Sequence, residues 1–434
     1  MERLLQYVWK YRFYDEAGMC TAEGLPVTVI DPGIQNPDAG PDFFNAKIRI
    51  AGTVWAGCVE IHRKASEWHT HHHDRDPAYD SVILHVVEED DTPVRRTNGE
   101  TIRQAVIRVP PRVREHMEWL LAHDTQSPCL ERISEVESIH MSAWLNALVG
   151  ERLERKTAAV LTLQERYEDW NEVFYITLMR NFGFGTNSDA FEWLAESLPF
   201  HCIRKHRDNR LSIEALLFGQ AGLLAGTYND PYCRLLQREY AFLQTKYRLK
   251  PVEGFLFRKL RIRPVNFPHI RLAQLAAIWS TNDTLFSEVL ENSRPEILND
   301  RFNIPVSDYW ETHYHFDAVS PSRKKPVGAN TVHVILINTV APVLFAYGKK
   351  KQQPEYTTRA LQLLEDLPPE RNSLVKTFTR AGIRVKSAAD TQALIQLRRE
   401  YCEKKKCLYC RIAYHLIRKG SPVKSCVPAT ANDK

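Results

Sequence analysis

At 434 residues, 44% hydrophobic and 26% charged, the chain is composed neither as a disordered or fibrous sequence nor as a small disulfide scaffold, and it is long enough for two or three domains. Its net charge of +5 conceals an asymmetry: residues 1–125 carry 14 Lys and Arg against 20 Asp and Glu, a balance of −6, which leaves +11 on the remainder. An acidic part able to hold cations thus precedes a basic part able to attract a polyanion.

Leu4, Leu5, Val8, Trp9 and Phe13 recur at helical spacing and predict a helix over 2–14. Residues 26–31 read as a strand stopped by Pro32-Gly33, and 46–50 and 54–62 as a hairpin about Ala51-Gly52-Thr53. Residues 64–80 are polar and rich in His, either a short helix or a loop. Residues 82–89 form a β-branched run that predicts a central strand buried on both faces. Asn98-Gly99 marks a turn, and 104–109 read as another strand before Pro110-Pro111. From about residue 112 helical periodicity takes over, clearest at 141–170 and recurring in shorter segments as far as 390–402. No run of about 18 apolar residues is apparent, and the charged N-terminus lacks a signal-like apolar core, so the expectation is a cytoplasmic chain without membrane contact.

The densest chemistry lies between Asn36 and Val87. Strand side chains alternate, so Glu60 and His62 point one way while Val59 and Ile61 point the other. A hairpin bringing Asp42 beside Glu60 makes an oxygen-ligand site for Mg²⁺ or Mn²⁺, the chemistry of metal-assisted phosphodiester hydrolysis. Secondary candidates follow at His71, His73, Asp76, Tyr79 and His85. An extended H-x-H at His71 and His73 presents both rings to one side, which widens the metal choice toward Mn²⁺, Zn²⁺ or Fe²⁺. His85 lies inside an apolar strand, where a lone histidine is more often a satisfied core residue than a ligand.

Nine cysteines are present, and three lie close together as Cys402-x4-Cys407-x2-Cys410. A C-x2-C knuckle with a third Cys nearby fits thiolate binding of Zn²⁺ or an iron–sulfur cluster. A fourth ligand is needed; Cys129, in the Ser127-Pro128-Cys129 turn, leads, with Cys426 and His415 as alternates. Basic segments at 204–210, 258–263, 322–325 and 349–351, with Phe255, Phe257 and Phe267 nearby, are candidates for nucleic-acid contact. No Walker A loop, dinucleotide fingerprint or nucleophile elbow occurs, which argues against an ATPase, a dinucleotide oxidoreductase or a serine hydrolase.

Pro41-Asp42 and Glu60-Ile61-His62, set in the order helix, three strands, helix or loop, strand, resemble the core of the PD-(D/E)xK nuclease superfamily. The resemblance implies a restriction-endonuclease-like α/β core, and with the helical periodicity after it the expected fold is α+β, that core followed by a large all-helical domain. It implies metal ligation by Asp42, Glu60 and the Ile61 carbonyl, and catalytic assistance from a lysine. Here His62 stands where that family has Lys, with Lys64 two residues on as a substitute. The whole chain also resembles an uncharacterised bacterial family known only as a domain of unknown function, through segments 40–48, 57–62, 67–87, 263–276 and 407–410. The expected division is 1–112 nuclease-like, 113–400 helical and basic, and 401–434 a Cys-rich metal-binding tail. The expected activity is metal-dependent cleavage of DNA or RNA. The alternatives are a non-catalytic nucleic-acid or protein-binding factor on the same fold, and a His-rich Zn²⁺ or Fe²⁺ hydrolase of small molecules.

Overall fold

The computed structural model describes residues 2–15, 18–36, 38–111, 113–115, 127–282 and 284–419. The chain divides into two compact units: Met1–Met141 together with Arg398–Lys434, and Ser142–Leu397. The divisions therefore fall at 141/142 and 397/398, and the Cys-rich segment, expected as a separate piece, groups with the N-terminal residues.

The first unit is built on a mixed sheet. Its strands are β1 (Val27–Asp31), β2 (Ile34–Gln35), β3 (Phe43–Ile50), β4 (Thr53–Lys64), β5 (Val82–Glu89) and β6 (Gln104–Val106). The order across the sheet is β1-β3-β4-β5-β6, with β2 beside β3. The β3–β4 hairpin turns at Ala51-Gly52, both in left-handed backbone, and its strands pair antiparallel, as do β1 and β3. Beyond it β5 joins β4, and β6 joins β5, in parallel. A parallel partner needs a crossover, and residues 65–81 supply it as the one-turn helix α2 (Glu67–Thr70) and two 3₁₀ turns.

Helix α1 (Glu2–Tyr11) buries Leu5, Tyr7, Val8 and Trp9, and the Trp9 indole N–H donates to the Pro32 carbonyl at 3.0 Å. It ends before the expected residue 14 because Arg12 turns into left-handed backbone. In β4 every residue from Cys58 to His62 is buried. Val59 and Ile61 enter the apolar side of the sheet, and Glu60 and His62 are enclosed on the other. Gly57 lets β5 approach: a Cβ there would lie 2.4 Å from Ile83 Cγ2 and 2.9 Å from the Ser81 carbonyl.

The second unit is mainly helical, led by the long helix Ser138–Tyr167, which enters it from the first. The expectation of an all-helical domain is corrected by a small antiparallel pair, His313–His315 with Ala318–Val319. Its turn is anchored by Lys325, whose buried ammonium donates to the carbonyls of Trp310, Glu311 and His313 at 2.5, 2.8 and 3.2 Å. Glu214, fully buried, accepts from Tyr232, from Ser307 Oγ at 2.9 Å and from Trp310 Nε1 at 3.0 Å. The helical stretch Ala329–Lys351 is long and apolar enough to cross a membrane, contrary to the expectation of no such run, but most of it is buried within this unit.

Candidate metal centre

The register of the sheet builds the centre. Phe43 on β3 faces Val59 on β4, so Asp42, one residue earlier, comes beside Glu60, one residue later. The two carboxylates lock reciprocally: Asp42 N–H donates to Glu60 Oε2 at 3.0 Å, and Ile61 N–H donates to Asp42 Oδ2 at 3.1 Å. Gln6 on α1 donates to Asp42 Oδ1 at 2.8 Å. Ile61 meets the pair through this N–H, where the resemblance implies its carbonyl. Burial, and then the Glu60 carboxylate, push the Asp42 pKa up, and burial pushes Glu60 up. Glu2 on α1 adds a further negative field to both.

On β5, His85 is the register partner of Glu60, and its ring reaches His62: His62 Nδ1 and His85 Nε2 are 2.9 Å apart. His62 Nε2 then faces His71 Nδ1 at 3.1 Å and Glu60 Oε1 at 3.5 Å. His73 Nε2 lies 3.4 Å from the same Glu60 oxygen and has no hydrogen-bond partner among the described residues. One nitrogen from each of His62, His71 and His73 lies within 4.8 Å of the others. His71 and His73 converge by a means the sequence reading missed. They are not extended; His72 takes left-handed backbone (φ 62°) at the start of a 3₁₀ turn, which folds the two rings toward His62.

Trp68, fully buried, walls the histidines. Its ring packs against His73, Tyr79 and His85 with centroids 5.3, 5.9 and 5.2 Å apart, and its indole N–H is held by the Arg95 carbonyl at 3.0 Å. Tyr79 stacks on His73 at 3.7 Å. The rings have lost solvent: burial lowers the pKa of His62 to about 2 and of His85 to about 3, with neighbouring imidazoles adding to both shifts. Burial thus favours the neutral imidazole in both rings, where the resemblance implies a lysine's positive charge at position 62.

Two other expectations change. Lys64 lies at the far end of β4 with its ammonium 2.9 Å from Glu89, and it is not among the groups gathered at the carboxylates. Asp76 caps the 3₁₀ turn at Pro77–Tyr79 through the Ala78 N–H at 2.9 Å, and reaches His73 only as a nearby charge. Sequence reasoning missed Glu2, Gln6 and Trp68. The helical spacing of residues 2–14 puts apolar residues on the sheet, and a hydrophobic count passes over the polar ones beside them.

The donor set fits a divalent metal. Donors bonded at ~2.1 Å to one tetrahedral ion lie about 3.4 Å apart; one Glu60 oxygen is 3.4 and 3.5 Å from His73 and His62, while the donors that all lie within 4.8 Å of one another are the three imidazoles without Glu60. Two buried carboxylates have no Lys or Arg against them among the described residues, so a cation at this spot offsets their mutual repulsion.

At the cysteines, Cys129 shares the first unit with Cys402, Cys407 and Cys410, and all four are free thiols. His415 stacks on His140 instead, with ring centroids 3.9 Å apart. Cys426 lies outside the described residues. Of the basic segments, Lys325 is consumed inside its unit and Lys349 pairs with Glu154, whereas Arg258, Lys259, Arg261 and Arg263 are exposed, as is Phe255. Phe257 is buried against Phe191 and is not a stacking surface.

Residues 2–373 match the family model described as Protein of unknown function (DUF2851), and the chain belongs to that family. No curated protein and no solved structure matches it.

Proposed function

We propose that the first unit is a metal-dependent phosphodiesterase acting on nucleic acid. The observation that carries the proposal is Glu60 Oε1, which faces His62 Nε2 and His73 Nε2 at metal-ligand spacing while the Asp42 carboxylate is locked alongside. His62, His71 and His73 hold the ion, with the Glu60 carboxylate beside two of them and Asp42 supplying the second carboxylate. Bound there, a divalent ion acidifies water and offsets charge building on a phosphate. The imidazole-rich donor set favours Mn²⁺, Fe²⁺ or Zn²⁺ over Mg²⁺. His85 holds the His62 ring through Nδ1, so that Nε2 faces the centre, as an outer partner does for a ligating histidine. Trp68, buried against His73, Tyr79 and His85, keeps bulk water from that side of the rings.

The phosphodiester substrate rests on the order of helix and strands around Asp42 and Glu60, which resembles that of the nuclease superfamily, and on the exposed basic residues 258–263 of the second unit. The test is nicking of supercoiled plasmid and of RNA by chelator-treated protein resupplied with Mn²⁺. Activity should return with metal and vanish in Glu60→Gln and Asp42→Asn with the fold retained. Metal-dependent cleavage of an activated small phosphodiester, with no action on DNA or RNA, would instead favour a small-molecule hydrolase, a reading supported by the histidines at the centre. Binding of nucleic acid without cleavage would favour a non-catalytic factor.

A further inference from the structure

The cysteines hold a second centre that the phosphodiesterase reading does not need. Arg398 opens the segment that rejoins the first unit, and its guanidinium donates to Ser127 Oγ at 3.0 Å. Cys402 ends the π-helical turn Leu397–Cys402, Cys407 starts a 3₁₀ turn, and Cys410 precedes the helix Arg411–Lys419. The Cys410 N–H donates to the Cys407 carbonyl at 3.1 Å, closing the C-x2-C knuckle. Cys129 comes from the 3₁₀ helix Pro128–Glu135, which the helix Arg411–Lys419 contacts. Lys419 docks the far end of that helix on the Glu135 carbonyl at 2.8 Å and on Glu137 at 3.1 Å.

This docking brings the four sulfurs into mutual range. Cys129 feels the charge of Cys410, Cys402 and Cys407; Cys410 feels Cys402 and Cys407; Cys407 feels Cys402. No disulfide joins them. Donors are already aimed at sulfur: the N–H groups of Ile412 and Ala413 at Cys410, and the Ser127 hydroxyl at Cys402. Such donors stabilise thiolates and are a usual outer shell of bound ones.

Spacing separates the two ions the sequence allowed. A single Zn²⁺ with ~2.3 Å bonds draws four sulfurs to about 3.8 Å from one another. Among the described residues no three of these sulfurs lie within 4.8 Å of each other, the histidine trio being the group that does. We propose that Cys129, Cys402, Cys407 and Cys410 bind an iron–sulfur cluster as four thiolates. One ligand comes from the first chain segment of the unit and three from the second, so the cluster ties the two segments together.

The test is the full chain purified without oxygen and reconstituted with iron and sulfide. Iron and acid-labile sulfide in a one-to-one ratio, with visible absorption bleached by dithionite, is the expected result. Cys129→Ser and Cys410→Ser should each lose both elements, and Cys233→Ser, elsewhere in the chain, should keep them. Should a ligand variant be insoluble, the unaltered chain still decides the matter. Stoichiometric zinc without sulfide overturns the cluster, and neither metal nor sulfide overturns the site. Retention in Cys129→Ser with loss in Cys426→Ser overturns Cys129 as the fourth ligand.

Discussion

His62 shows how far surroundings can move a side chain from its solution chemistry. An exposed histidine changes charge near neutrality, but this one is sealed among three other imidazoles and a carboxylate. Its worth lies in where Nε2 is held, 3.5 Å from Glu60 Oε1, and that placement depends on the contact of Nδ1 with His85. His85→Ala should therefore weaken Zn²⁺ or Mn²⁺ binding about 10–100-fold, measured by competition with a chromophoric chelator. His69→Ala, which alters an exposed contact with Asp74, should leave binding unchanged; equal losses in the two variants would remove His85 from the argument. The same burial has a pH signature in chelator-treated protein. Unfolded histidines take up protons below about pH 6.5 while folded His62 and His85 do not, so stability falls as pH drops through that range. Folded Asp42 and Glu60 keep protons that unfolded carboxylates release above about pH 4, so their contribution falls as pH rises. The effects oppose each other up to about pH 6.5, above which only the carboxylate loss remains. Urea midpoints should therefore be level between about pH 4 and 6.5 and fall above that range, and Asp42→Asn with Glu60→Gln should remove the alkaline fall while uncovering the histidine loss on the acid side.

At the scale of elements, the centre depends on how closely β5 lies against β4. Gly57→Val places carbon atoms where Ile83 and the Ser81 carbonyl already are, and should cost about 1–3 kcal/mol by overpacking. Because the displaced strand carries His85, metal affinity should fall with stability in the same titration. Trp68→Ala, which empties a fully buried site, should cost about 3–5 kcal/mol; a loss below 1 kcal/mol in urea unfolding would mean that the histidines do not rest on it. Much of this layer was legible beforehand. Strands β3, β4 and β5 announce themselves by alternation and β-branching, and pairing Asp42 with Glu60 follows from one hairpin. What pattern reading could not reach was the crossover. Residues 65–81 have no period, so the left-handed turn at His72 and the inward pairing of His71 with His73 depend on tertiary packing around Trp68. The hairpin at 313–319 was missed for a related reason: strands of three and two residues are too short to show alternation.

On the whole-molecule scale, the charge asymmetry becomes specific at residues 258–263. These side chains project from a 3₁₀-rich segment beside exposed Phe255 and Leu260, a combination suited to backbone phosphates and stacked bases. Replacing Arg258, Lys259, Arg261 and Arg263 together by Ala should reduce the slope of log affinity against log salt by roughly 3–4 for duplex DNA, read by fluorescence anisotropy. An unchanged slope would remove this segment from any nucleic-acid interface.

The two-segment make-up of the first unit also has a consequence for biosynthesis. A ribosome delivers Asp42, Glu60 and the histidines early, then the whole of Ser142–Leu397, and only afterwards the residues from Arg398 onward. Domains generally fold as they emerge, yet this one must wait for its closing piece while a complete helical unit is made in between. During that interval Ser127 lacks Arg398 and Cys129 lacks its three companions. A nascent chain arrested before Arg398 should therefore present a protease-resistant second unit and a first unit still open to cleavage, with protection of the latter appearing only once the residues from Arg398 onward have emerged.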